Sequence, residues 1–164
     1  MKYSVLAIVW LALASLLPAC APYYGEGWVQ ISEGGFSVMM PGRPTRGSQQ
    51  GGISFQLDTG DATYSVIYAT KTTTSMIEPE QHLDMLRNGF LTDYSGRMTS
   101  ERNIGTSGYN GREVIAEDSS GAKLVIRFYR AKSIVYAVIV SMKKGTALSA
   151  DAEKFLSSFK IQSL

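Results

Sequence analysis

Few side chains in this sequence are equipped for chemistry, and they are scattered. His82 is the only histidine and Cys20 the only cysteine among 164 residues. His82 follows Glu78 by four positions, so on a helix the two share a side and can approach one metal ion. Two ligands fall short of the three or four protein donors that a zinc site takes. The expectation is a surface imidazole on the flank of a helix, with no metal. The acid pairs Asp58/Asp61 and Glu117/Asp118 have the chemistry for proton transfer or calcium binding. Neither carries the ordered oxygen-ligand loop that calcium demands, and both flank turns, where acids are ordinarily solvated. Gly105, Gly108 and Gly111 recur every three residues but do not lead into a helix. They form no phosphate cradle, and turn geometry accounts for them. No serine stands in a Gly-x-Ser-x-Gly setting. The sequence therefore assigns no catalytic, cofactor-binding or metal-binding residue, and the chain is not read as an enzyme.

Three charged residues fall inside otherwise apolar stretches. Arg112 and Glu113 are neighbours on a predicted strand, so their side chains face opposite ways. Glu113 shares a face with Ile115, which predicts an arginine partner across the sheet. Arg127 lies on the same strand face as Val125 and Tyr129. It is paired, snorkels to an edge, or lines a ligand groove.

The elements that must position these groups begin with the block from Tyr109 to Met142. Its period-2 alternation predicts three successive strands. Leu124, Ile126 and Phe128 point one way, and Val125, Arg127 and Tyr129 the other. Ile134, Tyr136, Val138 and Val140 share one face of the last strand, with Val135, Ala137 and Ile139 opposite. Apolar groups on both faces mark a central strand covered on each side. Earlier, Trp28 to Ile31 is a short lead-in strand or a turn, and Phe36 to Met40 is the first clear strand. A second strand spans Ser48 to Leu57 with Gly51-Gly52 interrupting it, and a third runs from Ala62 to Thr70. Glu78-Pro79-Glu80 opens a helix, since proline and acids favour a helix start. Leu83, Leu86, Phe90 and Tyr94 give it one apolar stripe. Arg97 to Ile104 is a polar edge strand. Ser149 caps a last helix whose apolar face is Ala152, Phe155, Leu156 and Phe159. The predicted fold class is α+β: one mainly antiparallel sheet of about six or seven strands packed with two helices.

Composition bounds the partners. Sixteen basic against fourteen acidic residues, a formal +2, is too balanced for a nucleic-acid surface. Lys2 followed by the apolar run Val5 to Leu17 reads as an export signal too short to span a bilayer. Leu17-Pro18-Ala19-Cys20 resembles the lipobox of bacterial lipoproteins, in which the cysteine is lipidated and becomes the first residue of the mature chain. The resemblance implies a signal peptide over 1–19, a short tether with lipidated Cys20 over 20–27, and a single domain over 28–164. It also implies attachment to the cell envelope through lipid on Cys20, at the outer membrane facing the periplasm if the host is Gram-negative. Tyr23 and Tyr24, near Trp28, either rest at the membrane interface or pack against the domain.

Phe36-Ser-Val-Met-Met-Pro-Gly-Arg-Pro44 is similar to the opening of small bacterial envelope domains that read F-x-V-x-x-P-G-x-P. Gly108-Tyr-Asn-Gly111-Arg-Glu113 and Phe155-Leu-Ser-Ser-Phe159 match their later Gly-x-x-Gly-x-Glu and Phe-x-x-Ser-Phe segments. At fold level the arrangement resembles the Mog1/PsbP-like α/β sandwich. The matching motifs are turns and core aromatics, so the resemblance implies shape more than activity. Two functions follow as expectations. The first is a non-enzymatic, lipid-anchored envelope domain that binds a protein partner or serves a structural role. The alternative is a carrier or sensor of a small apolar ligand held between sheet and helix, lined by Tyr64, Tyr68, Phe90, Phe128 and Tyr136. An enzyme is the remote third.

Overall fold

The computed structural model describes residues 27–49, 52–69 and 77–162. Cys20, the leader and Tyr23 and Tyr24 lie outside the described residues. The elements in order are β1 (Val29–Glu33), β2 (Phe36–Met40), β3 (Thr45–Gln49), β4 (Gly52–Asp58), β5 (Ala62–Ala69), α1 (Pro79–Tyr94), β6 (Arg97–Thr106), β7 (Tyr109–Glu117), β8 (Lys123–Ala131), β9 (Ile134–Met142), α2 (Ala150–Ser158) and β10 (Lys160–Ile161). Seven strands form one antiparallel sheet in the order β3-β4-β5-β9-β8-β7-β6. The chain leaves the sheet after β5 to form α1 and returns at the far edge as β6. It then meanders inward until β9 closes against β5. The block from Tyr109 to Met142 thus supplies the middle of the sheet, and β9 is the central strand its two apolar faces predict.

Each sheet face has its own cover. On one, Leu83, Leu86 and Phe90 of α1 pack on Ile67, Val114, Leu124, Ile126, Phe128, Val135, Ala137 and Ile139. On the other, Tyr64, Val66, Tyr68, Val125, Tyr129, Tyr136, Val138 and Val140 lie beneath Phe36, Val38 and Met40 of β2 and Phe155, Leu156 and Phe159 at α2. Two expectations are revised here. The segment Phe36 to Met40 does not join the main sheet. It is the middle strand of a separate antiparallel sheet, β1-β2-β10, laid over the second face, because its buried side of Phe36, Val38 and Met40 is needed as a lid. The stretch Ser48 to Leu57 is not one interrupted strand either. β3 and β4 form a hairpin with Gln49 opposite Gly52.

Polar contacts stitch the small sheet down. Glu33 accepts from Arg46 Nη2 of β3 at 2.7 Å and from the Tyr68 hydroxyl at 2.8 Å. The Tyr136 hydroxyl donates to the Gly34 carbonyl at 2.8 Å. The helices start as the sequence predicts. Pro79 occupies the first turn of α1, and the Ser149 hydroxyl accepts from the Ala152 amide at 3.1 Å to cap α2.

Of the three spaced glycines, only Gly108 needs turn geometry, with φ +82° in the β6–β7 hairpin. Gly111 lies inside β7, where a Cβ would stand 2.4 Å from the Tyr129 ring and 2.6 Å from the Phe128 carbonyl. Its role is close approach of β8. Gly111→Ala must displace backbone as well as a ring, so it should cost about 1–3 kcal/mol in urea unfolding. A change within error would show that β8 shifts without loss.

Candidate functional site

β7 carries the charged centre of the molecule, one charge on each face. Arg112 points toward α1 and Glu113 away from it, as alternation requires. Arg112 reaches across to the helix. Its Nη1 contacts Asp84 Oδ1 and lies 3.0 Å from Glu101 Oε1, and its Nη2 is 3.0 Å from Glu80 Oε2. Arg87 of α1 donates to the same Glu101 at 2.6 Å and lies 3.2 Å from Asp84. Two guanidinium groups and three carboxylates thus bolt the helix to β6 and β7. The spacing of Glu80, Asp84 and Arg87 by four and three puts all three on the helix side facing that edge.

On the other face, Glu113 sits directly opposite Arg102 of β6 and Arg127 of β8 in the ladder. Each arginine Nε is 2.6 Å from one carboxylate oxygen. Arg127 also donates through Nη1 to the Leu156 carbonyl at 2.7 Å, near the carboxyl end of α2, where a cation meets the negative end of the helix dipole. Burial pulls the Glu113 carboxyl upward, but the hydrogen bonds and charges of Arg102 and Arg127 outweigh it and hold it below its ordinary value of 4.5. The predicted cross-sheet arginine partner of Glu113 is therefore present twice. Of the three alternatives for Arg127, pairing is the one found. The carboxylates of Glu80, Asp84, Glu101 and Glu113 are engaged by guanidinium groups. That arrangement suits joining elements better than accepting a proton from a substrate.

The other candidates separate. Glu78 and His82 meet only through backbone, with the His82 amide donating to the Glu78 carbonyl at 3.0 Å. Among the described residues no group of three or more His, Cys, Asp or Glu side chains is placed to hold a metal. His82 is not on the surface as expected. It is 1 % exposed, and neither ring nitrogen has a hydrogen-bond partner among the described residues. The signal was present in the spacing: His82, Leu86 and Gly89 fall at i, i+4 and i+7, and all three are buried, so the imidazole belongs to the inward stripe. Asp58 accepts from the Gly60 amide at 2.7 Å, and Asp118 from the Ser120 hydroxyl and amide and the Ala122 amide. These are turn-forming roles. An open cleft is lined by Ser95, Arg97, Glu117, Asp118 and Ser119.

The five aromatic residues considered for an apolar ligand do not line one space. Tyr64, Tyr68 and Tyr136 lie beneath β2 and α2, while Phe90 and Phe128 lie beneath α1. Each set packs ring on ring: Phe90 with Phe128 at 6.0 Å, Tyr64 with Phe155 at 5.3 Å, and Phe36 with Tyr136 at 5.9 Å. Trp28 packs against the domain, with Lys154 Nζ of α2 3.9 Å from its ring centroid. Among the described residues no helix is long and apolar enough to cross a membrane.

No protein-family model matches the chain, and no curated protein does. Solved structures do. The solution structure of cyanobacterial PsbP (CyanoP) from Synechocystis sp. PCC 6803 superposes with a TM-score of 0.60 at 12% identity, covering 88% of this chain and 98% of that one. A Pseudomonas aeruginosa protein of unknown function matches at 0.46 with 10% identity, over 75% of this chain and 87% of its own. A Bacteroides thetaiotaomicron protein matches at 0.44 with 12% identity, over 85% and 50%. The likeness to CyanoP establishes the fold. The chain has the PsbP-like α+β sandwich, as the turn and aromatic motifs implied.

Proposed function

We propose that this protein is a non-enzymatic accessory domain of the bacterial envelope, held at the membrane by lipid on Cys20 and acting through a protein partner. The observation that carries the non-enzymatic part is the use of charge around β7. The buried Arg112 and Glu113 bind three and two opposite charges, respectively, from neighbouring elements. Such networks rigidify a scaffold and leave its carboxylates committed. The PsbP-like fold agrees with an accessory role.

The anchor rests on the lipobox-like Leu17-Pro18-Ala19-Cys20. The eight steps from Cys20 to Trp28 span at most about 28 Å, and Trp28 is pinned on α2 by Lys154. A lipid on Cys20 would therefore keep the domain close to the bilayer. Each buried methylene contributes roughly 0.8 kcal/mol, and more than one acyl chain makes such attachment stable. In a Gram-negative host the domain would face the periplasm from the outer membrane.

Cys20→Ser removes the acyl acceptor and leaves the domain intact. The wild-type chain should carry an acylated Cys20 by intact mass and partition into the detergent phase. The serine variant should lose the lipid contribution completely, appearing as an uncleaved precursor that still carries its apolar leader or as a soluble exported form that no longer partitions. A mature chain with unmodified Cys20 that still partitions with membranes would refute the anchor. Crosslinking in intact cells reads the partner: recovery of none from wild type under several growth conditions would count against the interaction role.

A further inference from the structure

The only histidine of the chain sits where a proton would disturb the fold. His82 lies in the first turn of α1, and its amide closes that turn on the Glu78 carbonyl. Its ring is buried with both nitrogens unpartnered among the described residues. Beside it, Arg130 of β8 donates through Nη1 to the Ile77 carbonyl at 2.6 Å. That bond straps the residue just ahead of the helix to the sheet.

The charges around the ring do not favour an imidazolium. The strands packed against α1 are β7 and β8. On the faces they turn toward the helix, their charged residues are Arg112 and Arg130. Arg112 is occupied by Glu80, Asp84 and Glu101. Arg130 acts directly on the ring and is positive. Val135, Ala137 and Ile139 of β9 and Ile67 of β5 add only apolar contact on that face. Glu101 of β6 is bound to Arg87 and Arg112. On the helix itself, Glu78 and Glu80 are exposed to solvent, and Asp84 is paired. Lys71, in the segment leading to the helix, is outside the described residues. The helix start adds the positive end of its dipole.

We propose that His82 is a proton-operated latch: when the imidazole takes a proton, the first turns of α1 and the Ile77 strap swing away from β8 and carry the ring to water. Among the described residues the closed form offers no acceptor for an imidazolium N–H, and the Arg130 charge disfavours it. The open form hydrates the charge without unfolding the sheet. Burial first, and the Arg130 charge second, push the folded ring below its ordinary value of 6.5. The open form binds a proton below about pH 6.5 and the closed form does not. The open population should therefore rise up to tenfold per pH unit from about 6.5 down to the ring's folded pKa, then level off.

Two measurements on the full chain test the latch. The single imidazole gives one Hε1 and one Hδ2 NMR signal, which should titrate together below 6.5. Amide hydrogen exchange, expressed as protection relative to the intrinsic rate, should show residues 77–86 opening separately from β9. Their protection should fall up to tenfold per pH unit in the same window and respond weakly to added denaturant, as sub-global opening does. His82→Phe should abolish the pH dependence of that segment. His82→Gln, smaller and polar, serves the same purpose if the phenylalanine variant folds poorly. Arg130→Gln should raise the pH at which the ring titrates. The proposal fails if residues 77–86 exchange only together with β9 at the same denaturant dependence. It fails also if both His82 variants keep the acid-dependent loss, or if the ring titrates with no change in protection.

Discussion

Truncating Phe128 or Val138 to alanine should lower the free energy of unfolding by about 2–5 kcal/mol, with Phe128 toward the upper end. Both side chains are fully buried, but they lie in different layers. Phe128 belongs to the α1 face and meets Phe90 edge to face, with centroids 6.0 Å apart. Val138 belongs to the β2 and α2 face. Neither site can collapse easily. Phe128 is fixed in the ladder opposite Arg112 and Ala137, and Val138 opposite Val66 and Arg127. The missing volume therefore stays as a cavity, adding to the lost transfer free energy. Urea unfolding with an unchanged denaturant slope would read the loss directly. A loss under about 1 kcal/mol at Phe128 would mean that α1 settles into the space, and that the helix is less firmly bolted than the Arg112 network implies.

The strands of the centre were legible because period-2 alternation is imposed on every residue of β8 and β9 by two buried faces. A helical segment with that pattern would expose half its apolar side chains. The small sheet was not legible. Phe36, Val38 and Met40 alternate in the same way whether they lie in the main sheet or over it, and one strand's pattern does not name its layer. The β3–β4 hairpin was hidden for a similar reason: Gly51-Gly52 punctuates the chain either as a flaw in a strand or as the end of one. At the charged centre, local patterning showed that Glu113 needs a cross-sheet arginine, because a carboxylate on an inward strand face has few other solutions. The Arg112 network was beyond reach, since its partners at Glu80, Asp84 and Glu101 come from two elements whose packing angle no local pattern records. At His82 residue type and spacing point to opposite environments. Polarity argued for the surface, while the 82-86-89 repeat argued for the core, and the core prevailed.

Glu113→Ala should cost about 3–5 kcal/mol, the range for removing one partner of a buried ion pair. The carboxylate side chain is 6% exposed, against 18% for Arg127 and 63% for Arg102. Removing it affects the two arginines unequally. Arg102 turns to solvent at little loss, whereas Arg127 stays largely buried with only the Leu156 carbonyl left to it. Glu113→Gln, which keeps shape and one acceptor oxygen, should lose less, and Arg102→Ala should lose under about 1 kcal/mol, as exposed partners do. The ion pair also predicts an acid limb. A carboxyl held below 4.5 in the fold stabilises the native state fully above about pH 4.5. That stability is lost as pH falls through the depressed folded value, because the unfolded chain then binds a proton that the folded chain refuses. The His82 latch operates in the higher window that begins near 6.5, so the two limbs separate along one pH titration of stability. Glu113→Gln should make the lower limb shallower, leaving the share of Glu33 and Asp118, which are also held low, and should keep the upper limb; His82→Phe should remove the upper limb and keep the lower. A Glu113→Gln protein whose stability below pH 4.5 falls as steeply as wild type would show that the Arg102–Glu113–Arg127 triplet contributes shape to the sheet but no net electrostatic stability.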